Sequence, residues 1–230
     1  NRKEPFVDIV CTAIPESLLE SELFGYEAGA FTSARTRKQG LFEIAENGTL
    51  FLDEIGDMSL NLQAKLLRAI EKKVIKRLGG TIDIPINARI ISATNKNLEE
   101  MVEAGTFRRD LYHRLNVVTI EIPPLKERSE DIITLADHFI EEFNRSFNKS
   151  VKRINKELKY FFLGYPWPGN VRELKNVIER TVLLSENGEI NLSDFFFFFN
   201  SVPANANQQF GSQSLPDNVM RLDLNYGTTD

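Results

Sequence analysis

The chain has 230 residues, 42% of them hydrophobic and 27% charged, so it can bury the core of one large or two modest domains. Its formal net charge of −5 argues against a broad basic surface that wraps nucleic acid. Cys11 is the one cysteine, which excludes a disulfide framework and a cysteine metal cluster. The sequence has no signal peptide or long apolar span, so we expect a cytoplasmic protein. Because it begins at Asn1 rather than Met, we expect a piece of a longer chain.

The first elements are a short strand and a helix. Pro5 to Val10 predicts the strand, and Pro15 to Phe24 predicts a helix that ends at Gly25. The stretch 25–34 has no regular period and is rich in small residues around Phe31, which predicts a loop. An aromatic on such a loop either anchors it by packing or is offered to a partner. The general rule that large apolar groups are buried favours the anchor.

An apolar run leads directly into two carboxylates. Gly48 to Leu52 predicts a strand of a parallel sheet, buried on both faces, and Asp53 and Glu54 follow it. Ligands of open α/β sheets bind outside the carboxyl ends of the strands. Such a pair could hold Mg²⁺ through its water shell and orient an attacking water. The alternative is a core strand followed by the acidic start of a helix.

The next segment predicts a helix and a hairpin. Asp57 or Ser59 can cap the helix, whose apolar residues recur every four positions. Gly79-Gly80 predicts a hairpin turn between strands 74–78 and 82–86.

A second buried strand, 88–93, is followed by polar residues. It places Thr94 and Asn95 at the same sheet edge as Asp53, which favours a nucleotide site. A polar pair that closes an apolar strand can also be turn chemistry alone. Asn97 is then predicted to cap a short helix that stops at Gly105.

Arginines are dense in the segment from Phe107 to Leu115. Arg108, Arg109 and Arg114 would usually form a solvated face, but arginines near a phosphate edge can act in trans as fingers. The segment 117–122 predicts another strand. The pattern beyond Lys126 is helical, which places a domain boundary near residue 125.

The C-terminal part begins its last helix at a tight turn, 167–174. Asn170 is predicted as the helix cap, and Arg172 in the first turn opposes the helix dipole, so we expect it to pair with an anion or carboxylate. The run Phe195–Phe199 is too short to span a membrane. Residues 200–230 are predicted to be disordered, although the abrupt change of character also fits a reading-frame slip.

Together these motifs resemble the central AAA+ ATPase domain of the sigma-54-dependent transcriptional activators, the bacterial enhancer-binding proteins of the nitrogen-regulator type. The resemblance runs from about Pro5 to Asp194. Its motifs are the sigma-factor-contacting loop (Gly29, Ala30, Phe31, Thr32, Ser33, Ala34), the Walker B strand (48–54), the first sensor (Thr94, Asn95), the arginine fingers (Arg108, Arg114) and the C-terminal signature (167–174).

The resemblance implies an α/β fold, an AAA+ parallel sheet flanked by helices in residues 1–125, then a helical lid in 126–195 and a tail in 196–230. It implies a ring, commonly a hexamer, with ATP and Mg²⁺ between subunits. One subunit would supply Asp53, Glu54, Thr94, Asn95 and Arg172, with Mg²⁺ held by Asp53 through water, and its neighbour would supply Arg108 and Arg114. Hydrolysis would move the Phe31 loop against RNA polymerase bound to sigma-54, so Phe31 is expected to be exposed.

The sequence departs from the family pattern at three places. Ser33 stands where the family has Gly, which narrows the backbone options of the loop, so we expect Ser33→Gly to strengthen sigma-54 engagement. Val10 stands where the family has Asn. None of the 13 glycines precedes a lysine, so no G-x-x-x-x-G-K-[ST] phosphate loop occurs. We interpret this as truncation, which would also remove a sensory domain and the helix-turn-helix domain that binds DNA.

Two classes of function therefore remain. The first is an ATPase that remodels sigma-54 RNA polymerase, with this chain alone expected to be inactive. The second is a non-catalytic module that binds sigma factor or polymerase through the Phe31 loop. A third, another AAA+ remodeller such as a helicase loader, is disfavoured by that loop.

Overall fold

The computed structural model describes residues 4–185 and 188–190, and the chain divides into one unit that ends at Ile120 and a second that begins at Glu121. The run Phe195–Phe199 and the predicted tail, 196–230, lie outside the described residues. The first unit contains β1 (Phe6–Val10), α1 (Glu16–Phe24), β2 (Gly25–Tyr26), β3 (Lys38–Gln39), α2 (Leu41–Ile44), β4 (Thr49–Asp53), a 3₁₀ turn (Ile55–Asp57), α3 (Leu60–Lys72), β5 (Val74–Ile75), β6 (Ile84–Pro85), β7 (Arg89–Ser92), α4 (Leu98–Glu103) and α5 (Arg109–Leu115).

The main sheet of the first unit is parallel, in the order β1-β4-β7. Leu50 and Leu52 are fully buried on one of its faces, in the core formed with the flanking helices. On the other face Phe51 is only half-buried and stacks against the exposed Phe6. The predicted parallel strand is therefore confirmed, but its predicted burial on both faces is wrong, because the described residues cover the second face incompletely.

Two helices begin at the side chains that the sequence marks as caps. The Ser59 hydroxyl accepts a hydrogen bond from the Leu62 N–H at 3.4 Å. The Asn97 side chain accepts from the N–H groups of Glu99 and Glu100. These side chains satisfy donors that the first turn of a helix leaves unpaired, so both helix starts are fixed locally.

The predicted hairpin exists but is short. Val74 pairs with Pro85 and Ile75 with Ile84, in antiparallel register. Beyond Ile75 the chain turns towards the loop of residues 25–34, where the Leu78 N–H donates to the Gly25 carbonyl at 2.9 Å. The hairpin arm therefore supports that loop.

The strand predicted at 117–122 is absent from the structure. Val117, Val118, Ile120 and Ile122 are 74–82% exposed. A strand forms only where a neighbouring strand takes up its backbone hydrogen bonds. Among the described residues the segment pairs with no strand, so the apolar alternation alone does not make it one.

The second unit is mainly helical, as predicted. It contains a 3₁₀ turn (Leu125–Glu127), α6 (Ser129–Phe147), β8 (Arg153–Ile154), α7 (Lys156–Gly164), α8 (Asn170–Leu184) and β9 (Glu189–Ile190). Its core includes Trp167, whose indole Nε1 donates to the Phe162 carbonyl at 2.8 Å. Every helix that the structure describes is too short or too polar to cross a lipid bilayer.

The predicted cap at Asn170 is wrong. Its backbone is left-handed, with φ 51°, and Gly169 occupies the cap position without a side-chain hydrogen bond. The Asn170 side chain instead accepts from the Leu125 N–H at 2.8 Å. Asparagine tolerates the left-handed region, and here its amide ties the start of α8 to the start of the second unit.

Candidate functional site

The carboxyl ends of β4 and β7 bring the predicted acidic and polar pairs together. The Ala93 N–H donates to the Leu52 carbonyl, and the Ile55 N–H donates to the Ala93 carbonyl, so the segments after both strands remain side by side. The Glu54 carboxylate accepts from the Asn95 N–H at 3.4 Å. The predicted meeting of Asp53 and Glu54 with Thr94 and Asn95 at one sheet edge is confirmed, and we call it the acidic edge.

The backbone at the acidic edge turns abruptly. Glu54 is left-handed, with φ 55° and ψ 47°, and its N–H donates to the Asp53 carboxylate at 3.0 Å. A non-glycine residue in this region costs about 1–2 kcal/mol. The turn redirects the chain immediately after the strand.

Small and polar residues complete the acidic edge. A Cβ atom at Gly56 would lie 2.9 Å from the Thr94 hydroxyl oxygen, so glycine allows the turn after Glu54 to approach Thr94. The Thr94 hydroxyl accepts from the Lys96 N–H at 3.1 Å. Val10 lies opposite Asp53 in the register of β1, so the departure from the family pattern falls beside the acidic pair.

The pKa of the buried Cys11 thiol is affected by the negative charge of the acidic edge. Burial raises the pKa of Cys11 to about 11, and the charges of Asp53, Asp57 and Glu54 add to the shift. The Cys11 N–H donates to the Asp53 carbonyl at 2.9 Å. The thiol is therefore a neutral packing group, and the edge is a place where a cation would be stabilised.

The loop of residues 29–34, here the Phe31 loop, is closed by its own backbone. The Gly29 N–H donates to the Ala34 carbonyl at 2.8 Å. Phe31 is 40% exposed and makes an edge contact with Tyr26, with the ring centroids 4.9 Å apart. The predicted exposure is confirmed, and the expectation of a buried anchor is wrong, because the contact with Tyr26 leaves much of the side chain in solvent.

Ser33 does not strain the Phe31 loop. It is not among the described non-glycine residues with positive φ, whereas Gly29 has φ 84°. Serine adopts negative φ freely, so the substitution for glycine costs this loop no left-handed strain. The left-handed step is made four residues earlier in the chain, by Gly29.

An ionic cluster that the sequence analysis missed holds the base of this loop. Arg77 donates through Nε to Glu43 Oε1 at 2.9 Å, and through Nη1 to Glu27 Oε1 at 2.8 Å. Burial would raise the pKa of Glu43, but hydrogen bonds from Arg77 and the Gly40 N–H hold it below its usual value. The partners are 34 and 50 residues from Arg77, so no local spacing reveals the cluster.

The arginines of α5 are accessible. Arg109 and Arg114 are exposed, and Arg108 is half-buried at the start of the helix. Arg108 pairs with Asp110, and both line an open depression with Arg109 and His113. Arg114 makes no ion pair with the described residues. The guanidinium groups of Arg109 and Arg114 are therefore available to an anion that approaches from solvent, whereas that of Arg108 is engaged by Asp110.

Arg172 lies in the first turn of α8, in the second unit, and is exposed. Its neighbour Glu173 is buried, accepting from the Gly169 N–H at 2.8 Å and the Tyr165 hydroxyl at 3.1 Å. Among the described residues Arg172 has no ion-pair partner, so the carboxylate expected for it is not found there. Burial raises the pKa of Glu173, and hydrogen bonds from Gly169 and Tyr165 oppose that shift.

Gln63 was also missed by the sequence analysis. It is fully buried on the apolar face of α3, and its amide contacts the segment before α5. A signal was present, since Gln63 precedes Leu66, Leu67 and Ile70 at the helical spacings of three, four and seven. A polar residue within a buried stripe marks an internal hydrogen-bond network.

Comparisons with known proteins agree with these observations. Residues 1–121 match the Sigma-54 interaction domain, and residues 126–211 match the AAA+ ATPase lid domain. The chain is 55% identical over 189 residues to the nitrogen fixation protein VnfA of Azotobacter vinelandii, covering 82% of this chain and 36% of that protein. It is 54% identical over 191 residues to the DNA-binding transcriptional activator HyfR of Escherichia coli, covering 83% of this chain and 28% of that protein. The chain thus spans about a third of these relatives.

A solved structure is also similar. NtrX from Brucella abortus in complex with ADP has a TM-score of 0.78 at 32% sequence identity, covering 95% of this chain and 47% of that chain. The similarity extends over both the sheet and the helical unit that follows it.

Proposed function

The chain belongs to the Sigma-54 interaction domain family, and from that premise we propose that it is the ATP-hydrolysing domain through which a transcriptional activator acts on RNA polymerase carrying sigma-54. The observation that carries the proposal is the acidic edge, where Asp53 and Glu54 meet Thr94 and Asn95. The Phe31 loop in the same unit supplies the contact with the partner.

The acidic edge suits ATP with Mg²⁺. Mg²⁺ is usually bound by one or two carboxylates together with water and substrate phosphates, and the acidic edge offers two, Asp53 and Glu54. Asp53 would hold it through water and Glu54 would orient the attacking water, while Mg²⁺ itself would neutralise phosphate charge. Thr94 and Asn95 would sense the phosphate, and Arg172 would act as the second sensor from the lid.

The arginines of α5 support action between subunits. Arg114 is exposed without an ion-pair partner among the described residues, and the partner of Arg108 is an equally exposed carboxylate. In a ring, commonly a hexamer, both would reach the nucleotide of the neighbouring subunit and stabilise transition-state charge. DNA binding would belong to a domain outside this chain.

The Phe31 loop is suited to grip another protein. Burial of an aromatic side chain is worth about 2 kcal/mol, and the half-exposed ring of Phe31 retains much of that gain for a partner. The ionic cluster of Arg77 anchors the base of the loop through Glu43 and Glu27, which would help the loop to pass a displacement to a partner. The proposed partner is sigma-54 in its complex with RNA polymerase.

The second candidate is a module that binds sigma-54 without turnover. It is favoured by the lack of a G-x-x-x-x-G-K-[ST] motif among the 230 residues and by Val10 beside Asp53. This alternative keeps the role of Phe31 but assigns none to Glu54.

The experiment compares Phe31→Ala and Glu54→Gln in the full-length protein that contains this chain. Phe31→Ala should abolish capture of sigma-54 in the presence of an ATP transition-state mimic and leave hydrolysis unchanged, whereas Glu54→Gln should abolish hydrolysis. Tyr160→Ala is the matched control, since Tyr160 is a 66% exposed aromatic of the second unit. Capture by Phe31→Ala at the control level would reject the loop as the contact. An unmodified protein that captures sigma-54 without hydrolysing ATP would favour the second candidate.

A further inference from the structure

The buried amide of Gln63 joins two segments that are distant in the sequence. Gln63 is 0% exposed on α3. Its Nε2 donates to the Met58 carbonyl at 2.7 Å and to the Thr106 carbonyl at 3.2 Å, and its Oε1 accepts from the Arg108 N–H at 2.8 Å. Both amide protons and the amide oxygen are used, so the side chain has one defined orientation.

The first of these segments directly follows the acidic edge in the chain. Met58 closes the 3₁₀ turn that starts at Glu54, with the Asp57 N–H donating to the Glu54 carbonyl and the Met58 N–H donating to the Ile55 carbonyl. Glu54 and Met58 are therefore held in one short turn by two consecutive hydrogen bonds.

The second segment precedes α5, the helix that carries the exposed arginines. Arg108 is the residue immediately before α5, and its backbone N–H is held by Gln63. Gly105 has φ 71° and lies just before Thr106. The chain turns there, so the segment no longer follows the direction of α4. The buried ring of Phe107 and the Gln63 amide fix its position on the core.

We propose that Gln63 is a positioning residue that links a subunit's acidic edge to the arginines that the same subunit lends to its neighbour. The inference rests on the proposed function, because it requires Arg108 and Arg114 to act in trans. Gln63 is fully buried, so it acts through the backbone that it holds rather than by direct contact with a ligand. It sets the backbone from which α5 begins, and small displacements of a catalytic group have large effects on rate.

The test uses mixed rings of two inactive forms of the full-length protein. Glu54→Gln subunits cannot complete their own site but still donate both arginines. Arg114→Ala subunits keep their own site but supply only Arg108 to the neighbouring site. Only an interface in which an Arg114→Ala site meets a Glu54→Gln neighbour has every part, so mixing should restore turnover.

Gln63→Met is then introduced into one of the two mutant forms at a time. Methionine is chosen because it has a similar length and cannot form these hydrogen bonds. In the donor, with Glu54→Gln, it should lower the restored turnover by at least about tenfold. In the site owner, with Arg114→Ala, the restored turnover should stay within about threefold of the unmodified mixture. Gln63→Leu, which also removes these hydrogen bonds without burying a charge, should show the same difference between donor and owner and serves in both positions if Gln63→Met does not fold.

A folding defect would lower turnover equally whether the substitution is in the donor or in the site owner. Leu19→Val, at a buried leucine of α1, is tested in both subunits as a control for loss of core packing. Equal loss of turnover in the donor and owner positions would overturn the role of Gln63 while leaving action in trans intact. No restored turnover in the unmodified mixture, with mixed rings verified by native mass spectrometry, would overturn the trans arginines and with them this inference.

Discussion

Arg108 and Asp110 face each other in a two-point ion pair at the start of α5, with Nε 3.0 Å from Oδ1 and Nη2 2.6 Å from Oδ2. The side chains of Arg108 and Asp110 are 40% and 46% exposed, so the pair adds little to folding stability. Its effect is on the arginine itself, because the carboxylate occupies the edge of the guanidinium that would bind a phosphate.

Asp110→Asn should therefore release Arg108 for the neighbouring nucleotide. We expect an unchanged unfolding midpoint and an ATP turnover number about threefold higher at low ionic strength, because a finger acts on transition-state charge, with the difference disappearing at high salt. Asp83→Asn is the control, since Asp83 pairs with Arg68 in an equally exposed ion pair. A turnover number that does not respond to Asp110→Asn at low salt would mean that the ion pair does not compete with nucleotide.

Arg114 and Arg109 provide a direct comparison, as both are exposed arginines of the same helix. Arg114→Ala should lower ATP turnover by roughly a thousandfold and leave nucleotide affinity within a few fold, because a finger acts on transition-state charge. Arg109→Ala should retain turnover. Steady-state hydrolysis and equilibrium binding of a fluorescent nucleotide measure the two quantities, and a similar loss in both variants would contradict the assignment.

Ser33→Gly is expected to have a small effect, in contrast to the gain anticipated from the sequence. Because Ser33 does not have positive φ, glycine relieves no strain and adds only backbone freedom, worth roughly 0.5 kcal/mol. Capture of sigma-54 should stay within about threefold of the unmodified protein. Gly29→Ala should weaken capture more, since its φ of 84° disfavours a side chain. Equal effects of the two substitutions would refute this account.

Removal of Arg77 should loosen the Phe31 loop. Arg77→Ala leaves Glu43 and Glu27 without their cation, and we expect a loss of about 2 kcal/mol of unfolding free energy, less than for a fully buried pair because Glu27 is 38% exposed. Arg68→Ala, at an exposed pair, should stay within about 0.5 kcal/mol. Denaturant unfolding measures both, and faster hydrogen exchange in residues 25–34 of Arg77→Ala should accompany the loss.

The lid should lose stability as pH rises through the titration of Glu173. Its raised pKa means that the folded chain keeps this proton at pH values above 4.5, where the unfolded chain has released it. The unfolding free energy therefore falls as pH increases from 4.5 through the raised pKa. Glu173→Gln should remove that part of the slope. Fluorescence of Trp167, the chain's one tryptophan, reports unfolding of this unit, and identical pH profiles for the two proteins would disprove the linkage.

Local patterns predicted the parts of the molecule that depend on neighbouring residues. The strand that ends at Asp53 and the caps Ser59 and Asn97 are of this kind, since an apolar run or one polar side chain determines each. Parallel strands share an edge, which is why Thr94 could be placed beside Asp53 before the structure was known.

Features that depend on distant partners could not be predicted in this way. Asn170 was expected to cap its helix, but its amide accepts from Leu125, 45 residues away. The segment 117–122 has the alternation of a strand and finds no strand partner among the described residues. Gln63 shows the intermediate case, where the helical period marks a buried polar group but cannot identify what it binds.

The left-handed backbone of Glu54 has a consequence for laboratory evolution. A library selected only for heat resistance should enrich glycine or asparagine at position 54, because either residue relieves the conformational cost. A library selected for transcription activation should keep glutamate there. Sequencing both populations would reveal how far function opposes thermal adaptation at this residue, without purification of any variant.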